Sequence, residues 1–421
     1  MNWAQVTSST PLLARLLNRP RLERNADLVV VALVVSLPWS TSATVVLGFL
    51  WLIAVGPTVG FASVRREVMT RVGGLPVLLW ALAALGMLWA DVSWSERIRG
   101  LDAFHKLLAI PLLLAQFRRS DRARWVVFGF LGSALLLLVV SWWLALAPGL
   151  TWRGDVSPGV PTKDYMSQSG IFVLCALGLL AQAAESWRAG RVGLALALAL
   201  VAAAFLANIV YVATGRTTIV VMVVLVLLLG FRLFGWKGVL AAGLVVVVLA
   251  GLAWASSPYL RERMNSAIAN MQDYRSNVGT AVGLRLEFWR KSMDFIAEAP
   301  VIGHGTGAIH TLFRARATAE TLPQAITTNP HSQIFAVAIQ LGLIGTVLLF
   351  AMWIAHLALF RGGTLIAWFG LITVVQNVVS SLFNSHLSDF AQGWLYVLGV
   401  GVLGGMVLRR PSAPPNREGE P

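Results

Sequence analysis

From Gly283 to Ile309 the chain reads GLRLEFWRKSMDFIAEAPVIGHGTGAI, and from Thr327 to Phe335 it reads TTNPHSQIF. The first string lies inside, and the second closes, the interval Ser257 to His331, the only long polar stretch in the sequence. On either side the chain is a succession of apolar runs with brief polar breaks. Runs of roughly 15–25 apolar residues have the length that crosses a bilayer as a helix. The contrast predicts an all-α, polytopic integral membrane protein whose long helical loop caps one face of the bundle.

Composition agrees. Of 421 residues, 57 % are apolar and only 12 % charged, and the mean hydropathy is +0.73, values outside the soluble globular class. About twelve apolar spans are expected, near 26–39, 42–56, 75–90, 101–116, 125–147, 165–184, 192–212, 217–234, 238–256, 331–358, 363–383 and 390–408. The first two are short and read as a broken pair around Pro38. Residues 1–25 form a basic arm, 26–256 the first nine spans, 257–330 the loop, 331–408 the last three spans, and 409–421 a Pro-rich polar tail expected to be disordered. No repeat and no cleavable signal peptide is evident. The one cysteine, Cys175, excludes an internal disulfide and a cysteine-based metal site.

The net charge of +14 does not require nucleic acid, because the arginines border the apolar runs. Arg65, Arg66, Arg71, Arg118, Arg119, Arg122, Arg124, Arg188, Arg191, Arg232, Lys237 and Arg361 fall on one set of borders, together with both termini. The opposite short borders hold Arg97, Arg99, Arg153, Lys163 and Arg216. The positive-inside rule makes the rich side cytoplasmic. The long loop then faces outward, which in a bacterium means the periplasm. Trp94, Trp142, Trp143 and Trp152 read as an interfacial belt.

Within the loop, Ala281 to Glu298 is patterned as an amphipathic helix ended by Pro300 and Gly303. Helical steps put Arg285, Trp289, Met293 and Ile296 on a docking face and Glu287, Lys291, Asp294 and Glu298 on another. A guanidinium on the docking face suits a diphosphate or carboxylate, and equally a structural ion pair or a lipid headgroup. Asn329 and Pro330 suggest a helix start, with His331 in the first turn. The helix dipole would there keep the imidazole neutral and available as a general base, while a capping histidine is the plainer alternative. His304, His310 and His386 are further outward histidines, and His304 lies in a glycine-rich turn. Arg216, in ATGRTT, reads as a snorkelling anchor or an anion ligand. Lys106, Arg153, Lys163 and Asp389 are weaker candidates for substrate contact. No HExxH, DxD or comparable set faces outward, so neither a metal nor another cofactor is expected.

TGRT at the seventh-to-eighth turn, the loop string from Gly283, and NPHSQ before the tenth span together resemble the O-antigen ligase family of bacterial membrane glycosyltransferases. The resemblance implies a GT-C-like enzyme acting at the periplasmic face. Its donor would be undecaprenyl-diphosphate-linked O-antigen, and its acceptor the lipid A–core. It further implies that Arg216 and Arg285 hold the diphosphate and that His331 activates the acceptor hydroxyl, with inversion and without a metal. An O-antigen polymerase and a protein O-oligosaccharyltransferase are expected to share this topology. A lipid-linked sugar transporter would instead carry ionisable groups at the bilayer midplane.

Overall fold

The computed structural model describes residues 18–147, 158–272, 280–318 and 323–409, and all regular structure among them is helical. Residues 19–117 form α1 (Arg19–Ser36), α2 (Thr41–Val55), α3 (Phe61–Val68), α4 (Arg71–Gly86), α5 (Trp94–His105) and α6 (Ala109–Phe117). Then follow α7 (Ala123–Leu146), α8 (Tyr165–Arg188), α9 (Val192–Tyr211) and α10 (Arg216–Ser256). The loop region contributes α11 (Pro258–Gln272), α12 (Ala281–Glu298) and α13 (Ile309–Ala315). The last elements are α14 (Gln333–Leu359), α15 (Leu365–Ser381), α16 (Phe390–Leu398) and α17 (Gly404–Leu408), the final two joined by a π-helical turn over Gly399–Leu403.

Six of these helical segments are long and apolar enough to cross a membrane, or seven if the α3–α4 pair, bent by 86°, is one span. The expected count of twelve is therefore not reached by length and composition, for local reasons. The α2 and α15 helices are short apolar helices. The expected fourth span is interrupted by a 3-10 turn at Lys106–Leu108. The α1 helix starts at Arg19, ahead of the apolar run, and carries its charges with it. Conversely, α10 contains two of the expected spans. Its 41 residues break at Gly235 (φ 60°, ψ −144°), and Gly230 and Gly238 then pack backbone to backbone. The Tyr211 and Ser256 hydroxyls hydrogen-bond at 2.7 Å, so the second limb returns to the level from which the first began.

The α8 helix is central, with Phe172, Cys175 and Leu177 fully buried. Around it Trp51, Phe117, Phe205, Trp353, Trp368 and Tyr396 fill the bundle core. Polar pairs join helices where apolar packing alone lacks direction. Gln168 Nε2 and Asn208 Nδ2 both donate to Ser141 Oγ at 2.9 Å, linking α7, α8 and α9. At the arginine-rich end, buried Glu67 accepts from Arg118 at 3.1 Å, and buried Asp27 accepts from Gln116 at 2.9 Å. Arg232 donates to the Gly363 carbonyl at 2.7 Å. The opposite end carries the loop helices.

These have their own small core of Phe288, Phe295, Ile309, Phe313 and Ile339. The α12 helix has the bounds its pattern predicts, because the Thr280 side chain accepts from the Gly283 amide at its amino end. Its buried face differs from the expected one. Phe288, Ser292 and Phe295 point inward, while Met293 is 56 % exposed. Two buried phenylalanines outweigh the Trp–Met–Ile stripe, so the helix is rotated by about one residue.

The glycine-rich turn after α12 docks on a break in α14 at Gly342 (φ 60°, ψ −155°). There the His304 and Gly305 amides donate to the Ile339 and Gln340 carbonyls, at 2.8 and 2.9 Å. In return the Leu343 and Ile344 amides donate to the Pro300 and Val301 carbonyls, at 2.8 and 3.3 Å. Backbone groups that the break would leave orphaned are thus satisfied reciprocally.

Candidate functional site

Arg216 is the first residue of α10, immediately after the extended Gly215. Arg285 lies one turn into α12. Both line a cavity of about 150 Å³ at the loop end of the bundle, with Tyr165, Thr218, His386 and Gln392 on its other walls. Among the described residues, the buried Nε of Arg216, the Nε of Arg285 and the Nδ1 of His386 find no hydrogen-bond partner. A buried unpaired guanidinium nitrogen carries a desolvation cost that an anion would offset. Burial lowers the Arg285 pKa, and the nearby Arg216 charge lowers it further. The cavity is thus a cationic pocket with donors pointing inward.

His331 is half-buried beside it. It does not lie in the first turn of a helix, as the Asn-Pro pattern suggested. Its φ is 55°, the helix begins at Gln333, and Ser332 is the residue preceding it. The Asn329 side chain explains the difference: its Oδ1 accepts from the His331 amide at 2.9 Å, a local turn that competes with helix capping. Pro330 is held within that turn.

The imidazole is oriented by a residue the sequence did not single out. His331 Nδ1 lies 3.1 Å from Asn384 Oδ1. The same oxygen accepts from the Ser385 amide at 3.0 Å and from Asn329 Nδ2 at 3.1 Å. The Ser385 amide can only donate, so this Asn384 atom is the oxygen and His331 Nδ1 carries the proton. Nε2 is left with its lone pair. Phe288 stacks on the ring at 5.7 Å between centroids and 13° between planes. Burial lowers the His331 pKa, followed by the Arg285 charge, with Asn384 opposing and His386 adding to the depression. The neutral ring therefore follows from burial and nearby cations, in place of a helix dipole. His386 is itself 5 % exposed. Its pKa is lowered by burial first, with Asp389 and Asp164 opposing.

The other candidates have structural partners. Lys106 Nζ donates to the Ser388 carbonyl at 3.0 Å and to the Asp389 carbonyl at 2.6 Å. Lys163 donates to the Leu37 carbonyl and lies 5.3 Å from the Phe390 ring centroid. The Asp389 side chain caps α16 by accepting from the Gln392 amide. None of the three lines the cationic pocket. Arg153 lies outside the described residues. His304 bonds the Phe295 carbonyl at 2.8 Å and belongs to the loop core. Asn384 went unassigned, and His386 was named only as an outward histidine, because NSHLSD otherwise reads as a polar break. Its only signal was polarity at the correct end of two apolar spans.

At one end of a helical bundle, paired arginines and an oriented histidine together can hold an anion beside a proton acceptor. Compared with known families, residues 201–350 match the model of the O-antigen ligase family. The matched interval includes Arg216, Arg285 and His331 and ends inside α14. No curated relative matches the chain. Over that interval the chain is similar to the O-antigen ligase family.

Proposed function

We infer that the protein is an O-antigen ligase of the bacterial inner membrane, transferring polysaccharide from undecaprenyl diphosphate to the lipid A–core at the periplasmic face. The observation that carries this reading is the buried Nε of both Arg216 and Arg285 in one cavity, unpartnered among the described residues, near a histidine whose Nδ1 is held by Asn384 and whose Nε2 has no partner among them. The two guanidiniums hold the donor diphosphate and offset the charge that develops as it leaves. His331 Nε2 takes the proton from an acceptor hydroxyl as its oxygen attacks the anomeric carbon. The carbon–oxygen bond to acceptor forms as the bond to phosphate breaks, its electron pair leaves with the diphosphate, and the anomeric configuration inverts. Residues 26–256 and 331–408 form the bundle, counted as twelve crossings, with the arginine-rich end and both termini cytoplasmic and the 257–330 loop periplasmic. The buried Asp27, Glu67 and His356 favour an enzyme over a transporter. Asp27 and Glu67 pair with residues at the arginine-rich end, and His356 bonds the Val72 carbonyl near the start of α4.

The test is reconstitution of the purified protein in detergent with EDTA, undecaprenyl-diphosphate glycan and lipid A–core, followed by gel analysis of the glycolipid. Wild type is expected to yield a higher-mass product. His331→Ala is expected to lose roughly 10²–10⁴-fold in rate, the usual contribution of a general base. Extension of the donor glycan with no consumption of lipid A–core would identify a polymerase. Transfer to a protein substrate would identify an oligosaccharyltransferase. Undiminished transfer by His331→Ala would remove the base from the mechanism.

A further inference from the structure

One polar wall of the cationic pocket takes no part in the transfer itself. His386 stands in the turn between α15 and α16 and lines the same cavity as Arg216 and Arg285. The turn that carries it is pinned on both sides. Ahead of it, Asn384 is bonded to Asn329 and His331. Behind it, the Ser388 and Asp389 amides donate to the Ser385 carbonyl, at 3.0 and 2.9 Å. Lys106 grips the Ser388 and Asp389 carbonyls from the other side. His386 is thereby kept on the cavity wall, with its buried Nδ1 unpartnered among the described residues. Such a nitrogen is costly to bury unless a ligand supplies the missing bond.

The charges that face the ring come from several elements. Arg285 of α12 and Arg216 at the start of α10 are cationic. Asp164 and Asp389, the capping residues of α8 and α16, are anionic. Lys163 is within electrostatic reach of both carboxylates, and His331 interacts with His386 directly. The α15 helix adds only the neutral Gln376 and Ser380. Before an anion arrives, burial, assisted by Arg285, outweighs the two carboxylates and holds the His386 pKa below its ordinary value. A neutral imidazole has one N–H, whereas its protonated form has two and a positive charge. A diphosphate held by the two guanidiniums reverses the balance, because a nearby opposite charge favours the charged form of the ring.

We propose that His386 is a third ligand of the diphosphate, taking up a proton from solution as the anion binds and returning it when the diphosphate leaves. The incoming proton bonds to the ring nitrogen that held the lone pair, and a ring N–H donates to a phosphate oxygen. The proposal rests on the transferase reading for the identity of the anion. It adds a coupling between anion binding and pH.

Calorimetric titration of the purified protein in detergent with geranyl diphosphate, a water-soluble prenyl diphosphate, tests this. Titrations in two buffers of different ionisation enthalpy give the protons taken up per ligand bound. At about pH 7.5, above the ordinary histidine value, wild type should take up at least about half a proton more than His386→Gln, a difference in which titration of the ligand cancels. The wild-type affinity should also weaken with rising pH by roughly three- to tenfold per unit more than the variant's. His331→Gln should keep the uptake. Equal uptake by wild type and His386→Gln, or its loss in His331→Gln alone, would overturn the proposal and leave the transferase reading standing. If geranyl diphosphate does not bind wild type at all, the diphosphate pocket fails, and both readings with it. If His386→Gln does not fold, His386→Asn serves the same comparison.

Discussion

The His331 backbone adopts a left-handed conformation that few non-glycine residues take up, held by the hydrogen bond its amide donates to the Asn329 side chain. Its ring is held by Asn384 and Phe288. In the proposed mechanism Asn384 acts through His331 and is a positioning residue. Asn384→Ala is expected to lower kcat by roughly 10²-fold, the loss typical of a displaced catalytic group, with little change in donor KM. A parallel rise in donor KM would show instead a general disturbance of the pocket. The same residue scale governs pH. A base acts only when neutral, and burial with Arg285 lowers the His331 pKa. The acid limb of the kcat/KM profile should therefore lie below the ordinary histidine value near 6.5. In Arg285→Gln, which removes one depressing charge, residual activity should fall away at higher pH than in wild type. An acid limb at or above 6.5 in wild type would contradict this. Arg285 was legible as a docking-face residue because its helix has a strong period. Asn384 was not, since its importance arises from a contact across 53 positions of sequence.

At the level of elements, breaks decide as much as helices. Gly235 and Gly342 share nearly the same φ and ψ, yet a Cβ at Gly235 would meet open space and one at Gly342 would lie 2.3 Å from the Val301 carbonyl oxygen. Both alanine substitutions incur backbone strain of roughly 1–3 kcal/mol. Gly342→Ala adds a clash with main chain, so it should lower the Tm in detergent clearly further than Gly235→Ala. Equal losses would show that the loop turn yields at no cost. Apolar periodicity, with Arg232 and Lys237 as punctuation, placed the break at Gly235 between two expected spans but concealed the one at Gly342. An apolar run reads the same whether it is one helix or a helix, a reversal and another helix, and a single glycine among many carries no mark of its conformation.

For the whole molecule, the distribution of arginines makes orientation testable. With Cys175 buried, a membrane-impermeant maleimide applied to intact cells whose outer membrane has been permeabilised should label Met293→Cys, at a position 56 % exposed on the loop helix. It should leave Arg124→Cys, exposed at the arginine-rich end, unreacted until the inner membrane is opened. The reverse pattern would invert the topology. A mechanical consequence follows from the reciprocal hydrogen bonds between Pro300–Gly305 and Ile339–Ile344. They rivet the loop to the bundle at its middle as well as at its ends. A swing that widens the cationic pocket is then confined to the part ahead of the rivet, which carries Arg285. His331, behind it, stays fixed to Asn384.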